Sequence, residues 1–306
     1  MNIHLGPKAF VLGHPITHSK SPALHSAASV VLGSSIEYGR WDVTERDLPR
    51  EWQYLTENYD VRGFSVTMPL KSAIIDYLDE LTPFARAVGV VNTVFWRNGK
   101  AVGHNTDVSG IVNALTDAGA NPSADSEYAI WGGGGTATAA CAALAYMGAE
   151  TVHVYAREQS RTQRVQNVAE AVGVEFVFHD ISDAGADAHR YAVTVSTLPA
   201  GVADLILEPS SAVAPNSVLL DVSYAVWPSP VAKAYEALGG KSVSGLEMLM
   251  HQALDQIKLF NGYKLEDRLP QELEILAAMC QSVGLPARTK LPVQVFDQMK
   301  LIKTSN

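Results

Sequence analysis

The stretch Tyr128-Ala129-Ile130-Trp131-Gly132-Gly133-Gly134-Gly135-Thr136-Ala137 decides the fold of the second half of the chain. An apolar run of strand type leads directly into a glycine cluster of the form G-x-G-x-x-A, and a helix-forming segment follows. Glycines allow a sharp turn and a close approach to a pyrophosphate, whose charge is favoured by free N–H groups at the helix start. The stretch therefore predicts a Rossmann-type dinucleotide-binding domain, with Gly132, Gly133, Gly134, Gly135 and Thr136 at the cofactor. A tight turn without a ligand is the alternative.

The residues after the next predicted strand, Thr151–Tyr155, indicate which dinucleotide binds. An acidic side chain at this point receives the ribose 2′-hydroxyl of NAD, whereas an arginine receives the 2′-phosphate of NADP. Here the segment begins with Ala156 and Arg157, and Arg161 follows one helical turn later, so two guanidinium groups can converge on a phosphate. Glu158 opposes this attraction. We predict NADP as the cofactor, with NAD as the less favoured alternative.

The first half of the chain alternates short apolar runs with helical segments. Strands are predicted at Ala9–Gly13, Ile36–Val43 and Val61–Val66, with helices between them. This order indicates βαβ units and a mostly parallel sheet. Between the apolar runs Val91–Trp96 and Ala101–His104, Asn98-Gly99 predicts a tight hairpin turn, because both residues accept a positive φ.

Two hydroxyls lie two residues apart, Ser19 and Ser21, in the loop that leads into the first predicted helix. Ser21 is the predicted N-cap of that helix, and Pro22 its first residue. Both hydroxyls can donate to a carboxylate there, where the helix dipole favours negative charge. A structural role, with Ser21 only capping the helix, is the alternative. The nearby His14 and His18 have no further residues at ligand spacing, so we predict no metal site.

Two charged residues stand in short polar motifs within otherwise apolar sequence: Lys71 in Ser65-Val66-Thr67-Met68-Pro69-Leu70-Lys71 and Asp107 in Gly103-His104-Asn105-Thr106-Asp107. We expect Pro69 to open a helix whose dipole, together with burial, lowers the pKa of Lys71. A lysine and a carboxylate in one cleft can share and pass a proton, which favours an enzyme. A structural salt bridge is the alternative. Asn92 is either a turn residue at a strand end or a hydrogen-bonding partner of a ligand.

The chain has 306 residues, which exceeds the usual span of one domain. Of these, 47% are hydrophobic, so the chain can bury a large core. We expect a first α/β domain over residues 1–106, completed by a helix at about 245–262. A Rossmann domain is expected over residues 107–244, and a C-terminal extension over residues 263–306. The polar run Asn121–Ser126 lies near the first boundary. The fold class is thus α/β with two domains.

Charge and cysteine content narrow the class of protein further. A net charge of -9 opposes a role in gripping nucleic acid or an anionic membrane. Cys141 and Cys280 lie in predicted apolar helices far apart in sequence, which indicates buried thiols without a disulfide. Met1–Pro7 has no charged leader followed by an apolar run, and no stretch is long and apolar enough to span a membrane. We expect a cytoplasmic protein; its oligomeric state is open, with a homodimer as one option.

These segments together resemble the shikimate dehydrogenase family, from about Phe10 to Gly262. The resemblance rests on six ordered motifs: Gly13-His14-Pro15-Ile16-Thr17-His18-Ser19-Lys20-Ser21-Pro22, Ser65-Val66-Thr67-Met68-Pro69-Leu70-Lys71, Val91-Asn92-Thr93, Asn105-Thr106-Asp107, the glycine cluster, and Gly245-Leu246-Glu247-Met248-Leu249-Met250-His251-Gln252. Some positions depart from the family pattern. Ser65 stands where asparagine is more usual, Ala156 and Glu158 flank the arginine, and Ser196-Thr197-Leu198-Pro199 replaces an Asn-Ala-Thr-type loop.

The resemblance implies NADP-dependent interconversion of 3-dehydroshikimate and shikimate, in a cleft between the domains. Lys71 would accept the proton when the 3-hydroxyl is oxidised and donate it in the reverse direction, with Asp107 orienting that hydroxyl. Ser19 and Ser21 would hold the substrate carboxylate. The other implied residues are Thr67, Asn92 and Gln252 around the ring hydroxyls, Tyr224 near the carboxylate, Ala156, Arg157 and Arg161 at the 2′-phosphate, and Val222 and Gly245 near the nicotinamide.

Three other functions stay open at this point. A quinate or dual quinate/shikimate dehydrogenase that uses NAD would share the carboxylate and the adjacent hydroxyls. A dinucleotide-binding sensor without turnover would keep the glycine cluster but would not need Lys71 and Asp107. A folate-type methylene dehydrogenase shares the two-domain plan, but it would not require a serine pair. Ser19, Ser21 and Arg157 favour shikimate and NADP.

Overall fold

The structure is a computed structural model that describes residues 6–122 and 126–295. These residues form two compact units. The first contains residues 6–86, 90–106 and 252–295, and the second contains residues 87–89, 107–122 and 126–251. Residues 1–5, 123–125 and 296–306, which include part of the predicted linker and of the predicted C-terminal extension, lie outside the described residues.

Short strands joined by helices form most of the first unit. In chain order these elements are β1 (Lys8–Gly13), α1 (Ser21–Leu32), β2 (Glu37–Asp42), α2 (Leu48–Asn58), β3 (Val61–Val66), β4 (Glu80–Leu81), α3 (Pro83–Val88), β5 (Thr93–Arg97) and β6 (Lys100–His104). A short 3₁₀ helix, Ala73–Tyr77, lies between β3 and β4. The β5–β6 hairpin turns at Asn98 and Gly99 with φ values of 54° and 78°, as the sequence predicts.

One six-stranded sheet, in the order β2-β1-β3-β5-β6-β4, organises the first unit. β1 is parallel to β2 and β3, and β4 is parallel to β6, whereas β5 is antiparallel to β3 and β6. All strands except β5 therefore run in the same direction. The carboxyl ends of β1, β3 and β6 meet the amino end of β5 at one edge of the sheet. The loops that follow Gly13, Val66 and His104 consequently lie beside the residues that precede Thr93.

The start of α1 differs from the prediction. Lys20 is the N-cap, Ser21 is the first helical residue, and no side chain caps the helix. The Ser21 N–H group instead donates to Ser19 Oγ at 3.3 Å, so the serine pair closes a small turn before the helix. The helix ends at Leu32, and Gly33, with φ 70°, is its C-cap.

The second unit is a doubly wound parallel sheet. Its elements are α4 (Asp107–Asp117), β7 (Glu127–Trp131), α5 (Gly135–Tyr146), β8 (Thr151–Ala156), α6 (Gln163–Val172), β9 (Glu175–Asp180), α7 (Ala184–Asp187), β10 (Tyr191–Ser196), β11 (Val218–Asp221), α8 (Pro230–Ala237) and β12 (Lys241–Ser244). The strand order is β12-β11-β10-β7-β8-β9, and all pairs are parallel. This is the Rossmann order, whose direction of winding reverses between β7 and β10. The predicted α/β fold class is confirmed.

Two further helices complete the described chain, α9 (Gly245–Phe260) and α10 (Glu272–Val283). Residues 245–251 belong to the second unit and residues 252–260 to the first. The buried Glu272 carboxylate joins the two helices, because it lies 3.4 Å from Lys258 Nζ and accepts from Arg268 Nη1 at 2.5 Å. α10 packs on α1, so the segment after Gly262 supports the helix that begins with Ser21.

Both faces of the first sheet are covered by apolar side chains. Phe10 and Phe64 pack with Leu55 of α2 on one face. On the other face, Phe95 packs with Phe260 of α9. Gly63 lies on this second face, and a Cβ added there would come within 2.1 Å of the Phe260 ring. The glycine therefore permits α9 to lie close to β3.

No helix in residues 6–122 or 126–295 is long and apolar enough to cross a membrane.

His104, the last residue of β6, is buried in a neutral form. Its Nδ1 atom lies 2.9 Å from Thr82 Oγ1, and its buried Nε2 atom has no hydrogen-bond partner among the described residues. Burial lowers the pKa of His104 to about 4, because a second proton would place an unsolvated charge in the core.

We predict that His104 destabilises the fold in acid. The unfolded chain takes up a proton on this side chain near pH 6.5, whereas the folded chain does so only near pH 4, so stability is lost as the pH falls between these values. The difference corresponds to about 3 kcal/mol. Urea unfolding at about pH 7 and about pH 4.5 should show a clearly smaller loss for His104→Gln than for the wild type. The exposed His189→Gln is the control. Equal losses in wild type and His104→Gln would contradict this assignment.

Candidate active site

Asn92 is the centre of a buried hydrogen-bond cluster at the sheet edge where β5 begins. Its Nδ2 atom donates to Thr106 Oγ1 at 3.0 Å and to Gln252 Oε1 at 3.4 Å. Its Oδ1 atom accepts from the Thr106 N–H group at 2.8 Å. The Thr106 hydroxyl lies 3.2 Å from Gln252 Oε1. The structure thus brings together Asn92 and Gln252, both predicted to lie around the ring hydroxyls.

Gln256 extends this cluster and was not predicted. It lies one helical turn after Gln252 on α9 and is 1% exposed. Its Nε2 atom donates to Thr93 Oγ1 at 3.0 Å and to the Asn92 carbonyl at 3.2 Å. The spacing of the two glutamines, i and i+4, places them on one helix face and is the sequence signal that could have indicated it.

Lys71 lies next to the same cluster through its backbone. Its carbonyl accepts from the Val91 N–H group at 2.9 Å, one residue before Asn92. Thr67, which follows the end of β3, is bonded through its N–H group to the Leu12 carbonyl at 2.9 Å. The segment that contains Thr67 and Lys71 is therefore fixed to β1 on one side and to the start of β5 on the other.

The predicted helix at Pro69 is wrong. Lys71 is a half-buried residue of a turn, and only the short 3₁₀ helix Ala73–Tyr77 follows it. The turn forms because the Leu70 N–H group bonds back to the Thr67 carbonyl at 2.9 Å. The helix-dipole argument for Lys71 consequently does not apply.

Asp107 is the first residue of α4 and is 5% exposed. It directly follows Thr106, whose hydroxyl and N–H group belong to the Asn92 cluster. The amino end of this helix favours a negative charge. Asp107 belongs to the second unit and Lys71 to the first.

The loop from β1 into α1, residues 14–21, is the serine loop, and charged residues of β2 hold it in place. Ser19 and Ser21 are 5% and 4% exposed. Arg40 donates from Nε and Nη2 to the Ser19 carbonyl at 3.1 and 2.6 Å. The Asp42 carboxylate accepts from the Ile16 N–H group at 3.2 Å and lies 2.6 Å from a ring nitrogen of His14, and this His14 hydrogen bond lowers the pKa of Asp42. This support from β2 was not predicted.

In the second unit, the glycine cluster follows β7 as predicted. Gly132 has a φ of 112°, which turns the chain sharply toward α5. A Cβ at Gly133 would lie 2.7 Å from the Arg161 carbonyl oxygen, so this glycine permits contact with the segment after β8. For Gly134, no heavy atom of the described residues lies within 4 Å of an added Cβ. Gly135 begins α5, which directs its free N–H groups toward this open space.

The residues predicted to hold a 2′-phosphate follow the end of β8. Ala156 ends the strand, Arg157 is exposed, and Arg161 belongs to the 3₁₀ helix Gln159–Thr162. Arg161 Nε lies 3.7 Å from the Glu158 carboxylate. An open glycine turn at a helix start, in contact with the backbone of a segment that carries two exposed arginines, fits a phosphorylated dinucleotide.

Asp221 fixes the loop after β11 and was also not predicted. Its buried carboxylate accepts from Ser229 Oγ at 2.7 Å and from the Ser223 N–H group at 3.1 Å, and burial raises its pKa. Val222 and Tyr224 lie in this loop and are partly buried. A separate close contact joins Val222 to the start of α9, because a Cβ at Gly245 would lie 2.0 Å from the Val222 carbonyl oxygen.

Comparison with known proteins identifies relatives of both units. A family model for the shikimate dehydrogenase substrate binding domain matches residues 11–94. A shikimate dehydrogenase (NADP(+)) of Streptococcus suis is 32% identical over 282 residues, which is 87% of this chain and 96% of that protein.

Two solved structures are similar to this chain over most of its length. Shikimate dehydrogenase of Mycobacterium tuberculosis is 36% identical, with a TM-score of 0.75, over 90% of this chain and 99% of that chain. Shikimate 5-dehydrogenase of Thermus thermophilus, solved in complex with NADP(H) and shikimate, is 29% identical, with a TM-score of 0.74, over 90% of this chain and 100% of that chain.

The two inner glycines of the cluster should respond differently to an added methyl group. Gly133→Ala meets backbone atoms, so we expect it to lower the free energy of unfolding by about 1–3 kcal/mol without cofactor. Gly134→Ala should change that free energy by less than about 0.5 kcal/mol. It should nevertheless weaken NADP binding, because its methyl group enters the space that a pyrophosphate approaches. Urea unfolding and calorimetric titration with NADP measure the two effects. An unchanged stability of Gly133→Ala, or unchanged NADP affinity of Gly134→Ala, would refute the respective assignment.

Proposed function

The chain belongs to the shikimate dehydrogenase family, and we propose that it catalyses the reversible, NADP-dependent reduction of 3-dehydroshikimate to shikimate. This reaction serves the synthesis of chorismate and the aromatic amino acids. The proposal is supported above all by the buried Asn92–Thr106–Gln252 cluster, which lies at the same sheet edge as the serine loop and the Lys71 turn. Amide and hydroxyl groups in this position suit a polyhydroxylated ring.

The serine pair is proposed to hold the substrate carboxylate. Ser19 and Ser21 supply two hydroxyl donors at the start of a 12-residue helix, α1, whose dipole favours an anion. The protein as a whole has a net charge of -9, so the attraction must come from such local groups. Arg40 contributes by fixing the Ser19 backbone rather than by direct contact. Tyr224 is proposed to lie near the same carboxylate.

Lys71 is proposed to move the proton. Its neutral amine accepts the proton of the 3-hydroxyl as shikimate is oxidised, and its ammonium form returns the proton as 3-dehydroshikimate is reduced. Bound NADP would supply the hydride chemistry at the carbon atom that carries this 3-hydroxyl. Asp107 orients the hydroxyl, and Thr67, Asn92 and Gln252 hold the ring hydroxyls, so that the reacting groups stay aligned.

The cofactor is proposed to bind to residues of the second unit. Gly132, Gly133, Gly134, Gly135 and Thr136 form the proposed pyrophosphate turn, and the N–H groups at the start of α5 face it. Arg157 and Arg161, with Ala156 at the strand end, are proposed to hold the 2′-phosphate. Val222 and Gly245 are proposed to lie beside the nicotinamide.

The predicted division of labour extends this proposal to the whole chain. Residues 1–106, with the helix at about 245–262, would bind the substrate, and residues 107–244 the cofactor. Residues 263–306 would be a C-terminal extension, of which the helix α10 packs on α1. We further propose a cytoplasmic location and no role in nucleic-acid binding, with a homodimer as the assembly to test by light scattering.

Substrate and cofactor choice test the function directly. Initial rates should be measured for shikimate and quinate, each with NADP and with NAD. We expect the highest kcat/KM for shikimate with NADP. The serine pair suits the carboxylate of shikimate, and the two arginines suit the 2′-phosphate that NADP has and NAD lacks. A preference for quinate with NAD would replace the proposal by a catabolic dehydrogenase, and absence of turnover with all four pairs would favour a dinucleotide sensor.

Replacement of Lys71 tests the mechanism. Lys71→Met should lower kcat by about 10²–10⁴-fold, the usual contribution of a general acid–base group, and leave NADP affinity unchanged. Lys264→Met, at a lysine whose side chain is 76% exposed, is the matched control and should retain wild-type rates. Wild-type turnover by Lys71→Met would show that another group transfers the proton.

A further inference from the structure

A buried hydrogen-bonded path crosses one face of the first sheet, beyond the residues that are proposed to contact the substrate. The Tyr38 hydroxyl donates to Ser65 Oγ at 2.6 Å, and Ser65 Oγ donates to Gln256 Oε1 at 2.6 Å. Gln256 then donates to Thr93 Oγ1 and to the Asn92 carbonyl. One end of this path is therefore the Asn92 cluster.

The position of these residues follows from strand register. Ser65 pairs with Val11 of β1 and with Thr93 of β5, and Tyr38 pairs with Ala9. Because side chains alternate between the faces of a strand, all three polar residues lie on the face that α9 and α1 cover. The face is otherwise apolar, with Phe95 and Phe260 among its members.

The other end of the path is the serine loop. The Tyr38 ring stacks on the His25 ring, with centroids 3.8 Å apart and an interplanar angle of 12°. His25 lies one helical turn after Ser21, so both residues are on the same face of α1, and Tyr38 packs against that face. Burial raises the pKa of Tyr38 and the Ser21 side chain opposes this rise, which indicates that Ser21 lies within reach of the Tyr38 hydroxyl. Tyr38 thus links the proposed carboxylate site to the path.

The number of available protons determines the direction of each hydrogen bond. The Asn92 carbonyl can only accept, so the Gln256 nitrogen must face it and the Gln256 oxygen must face Ser65. Ser65 has one proton, which it gives to that oxygen. Tyr38 therefore donates to Ser65 in the ligand-free chain, and its own oxygen is left to accept from Ser21.

A substrate carboxylate reverses the direction of the hydrogen bonds along this path. When Ser21 turns its proton to the carboxylate, the Tyr38 oxygen loses a donor, and the Tyr38 proton can rotate from Ser65 to Ser21. Ser65 then turns its own proton from Gln256 to the Tyr38 oxygen, and Gln256 Oε1 keeps its contact of 3.4 Å with His25 Nε2. When Ser21 accepts a hydrogen bond from the Tyr38 phenol, it is also a stronger donor to the carboxylate, since hydrogen bonds in a chain polarise one another.

We propose that Tyr38 is a positioning residue for the substrate carboxylate, which supports Ser21 from behind and is anchored through Ser65 and Gln256 to the Asn92 cluster. This inference rests on the proposed function, because it takes shikimate as the anion at Ser21. No covalent step is involved, and only the directions of the Ser21, Tyr38 and Ser65 hydroxyl groups change on binding.

Tyr38→Phe tests the inference by removing one oxygen atom while retaining the stack on His25. We expect KM for shikimate to rise by about tenfold, kcat to change by less than about threefold, and KM for NADP to stay the same. The effect should require the negative charge, so the inhibition constant of shikimate methyl ester should be equal in variant and wild type. Tyr54→Phe, at a tyrosine of α2 that is 46% exposed, is the matched control.

The outcomes separate this inference from the function on which it rests. An unchanged KM for shikimate in Tyr38→Phe overturns the inference alone, as does an equal loss of affinity for the acid and the ester, which would indicate a purely structural role. Lack of shikimate turnover by the wild type with NADP overturns the proposed function and this inference together. A loss confined to the acid, with thermal unfolding within a few degrees of the wild type, supports Tyr38 as the positioning residue.

Discussion

The need to satisfy every buried polar group around Asn92 is the constraint on which the rest of the first unit depends. Asn92 directly precedes β5, Thr106 follows β6, and Gln252 lies on α9, so one cluster ties the β5–β6 hairpin to a helix whose Gln252 comes 160 residues after Asn92. An unpaired amide in this buried position would cost about 1–3 kcal/mol, which disfavours any other arrangement of these elements. The same groups that hold the unit together are those proposed to meet the substrate.

The direction of a single strand makes this convergence possible. If β5 were parallel to its neighbours, its amino end and Asn92 would lie at the opposite edge from the serine loop and Thr106. Because β5 is antiparallel, it can follow β3 and precede β6 while Asn92 stays at the edge that contains the carboxyl ends of β1, β3 and β6. Small residues complete the arrangement. Gly63 permits the approach of Phe260, which places α9 and its two glutamines against β3.

Much of this architecture can be predicted from sequence because the signals are local. The glycine cluster between an apolar strand and a helix predicts the Rossmann unit, and the ordered motifs predict the family; the fold class, the family and the cofactor are confirmed. Asn98-Gly99 likewise predicts the hairpin turn, since its dihedral requirements involve only the two residues themselves. The individual roles of Lys71, Asp107 and the other site residues stay predictions.

The errors and omissions occur where distant residues determine local structure. Serine is a residue type preferred at N-caps, which is why Ser21 was predicted there. Hydrogen bonds of Ser19 and Arg40 determine the loop instead, and Lys20 is the N-cap. Pro69 suits a helix start, yet bonds from the Lys71 segment to β1 and to Val91 produce a turn. Tyr38, Gln256 and Asp221 were missed for a related reason, because their partners come from other strands or helices or from a later loop. No local pattern reveals such a partner, although the i, i+4 spacing of the two glutamines on α9 is a partial signal.

The most direct measurement of the central claim is a crystal structure of the chain with shikimate bound. The account predicts that the carboxylate lies within hydrogen-bond distance of the Ser19 and Ser21 hydroxyls, and that the ring hydroxyls contact the Asn92 and Gln252 amides. Shikimate bound with its carboxylate away from both serines, or at a site that does not include Asn92, would contradict the account.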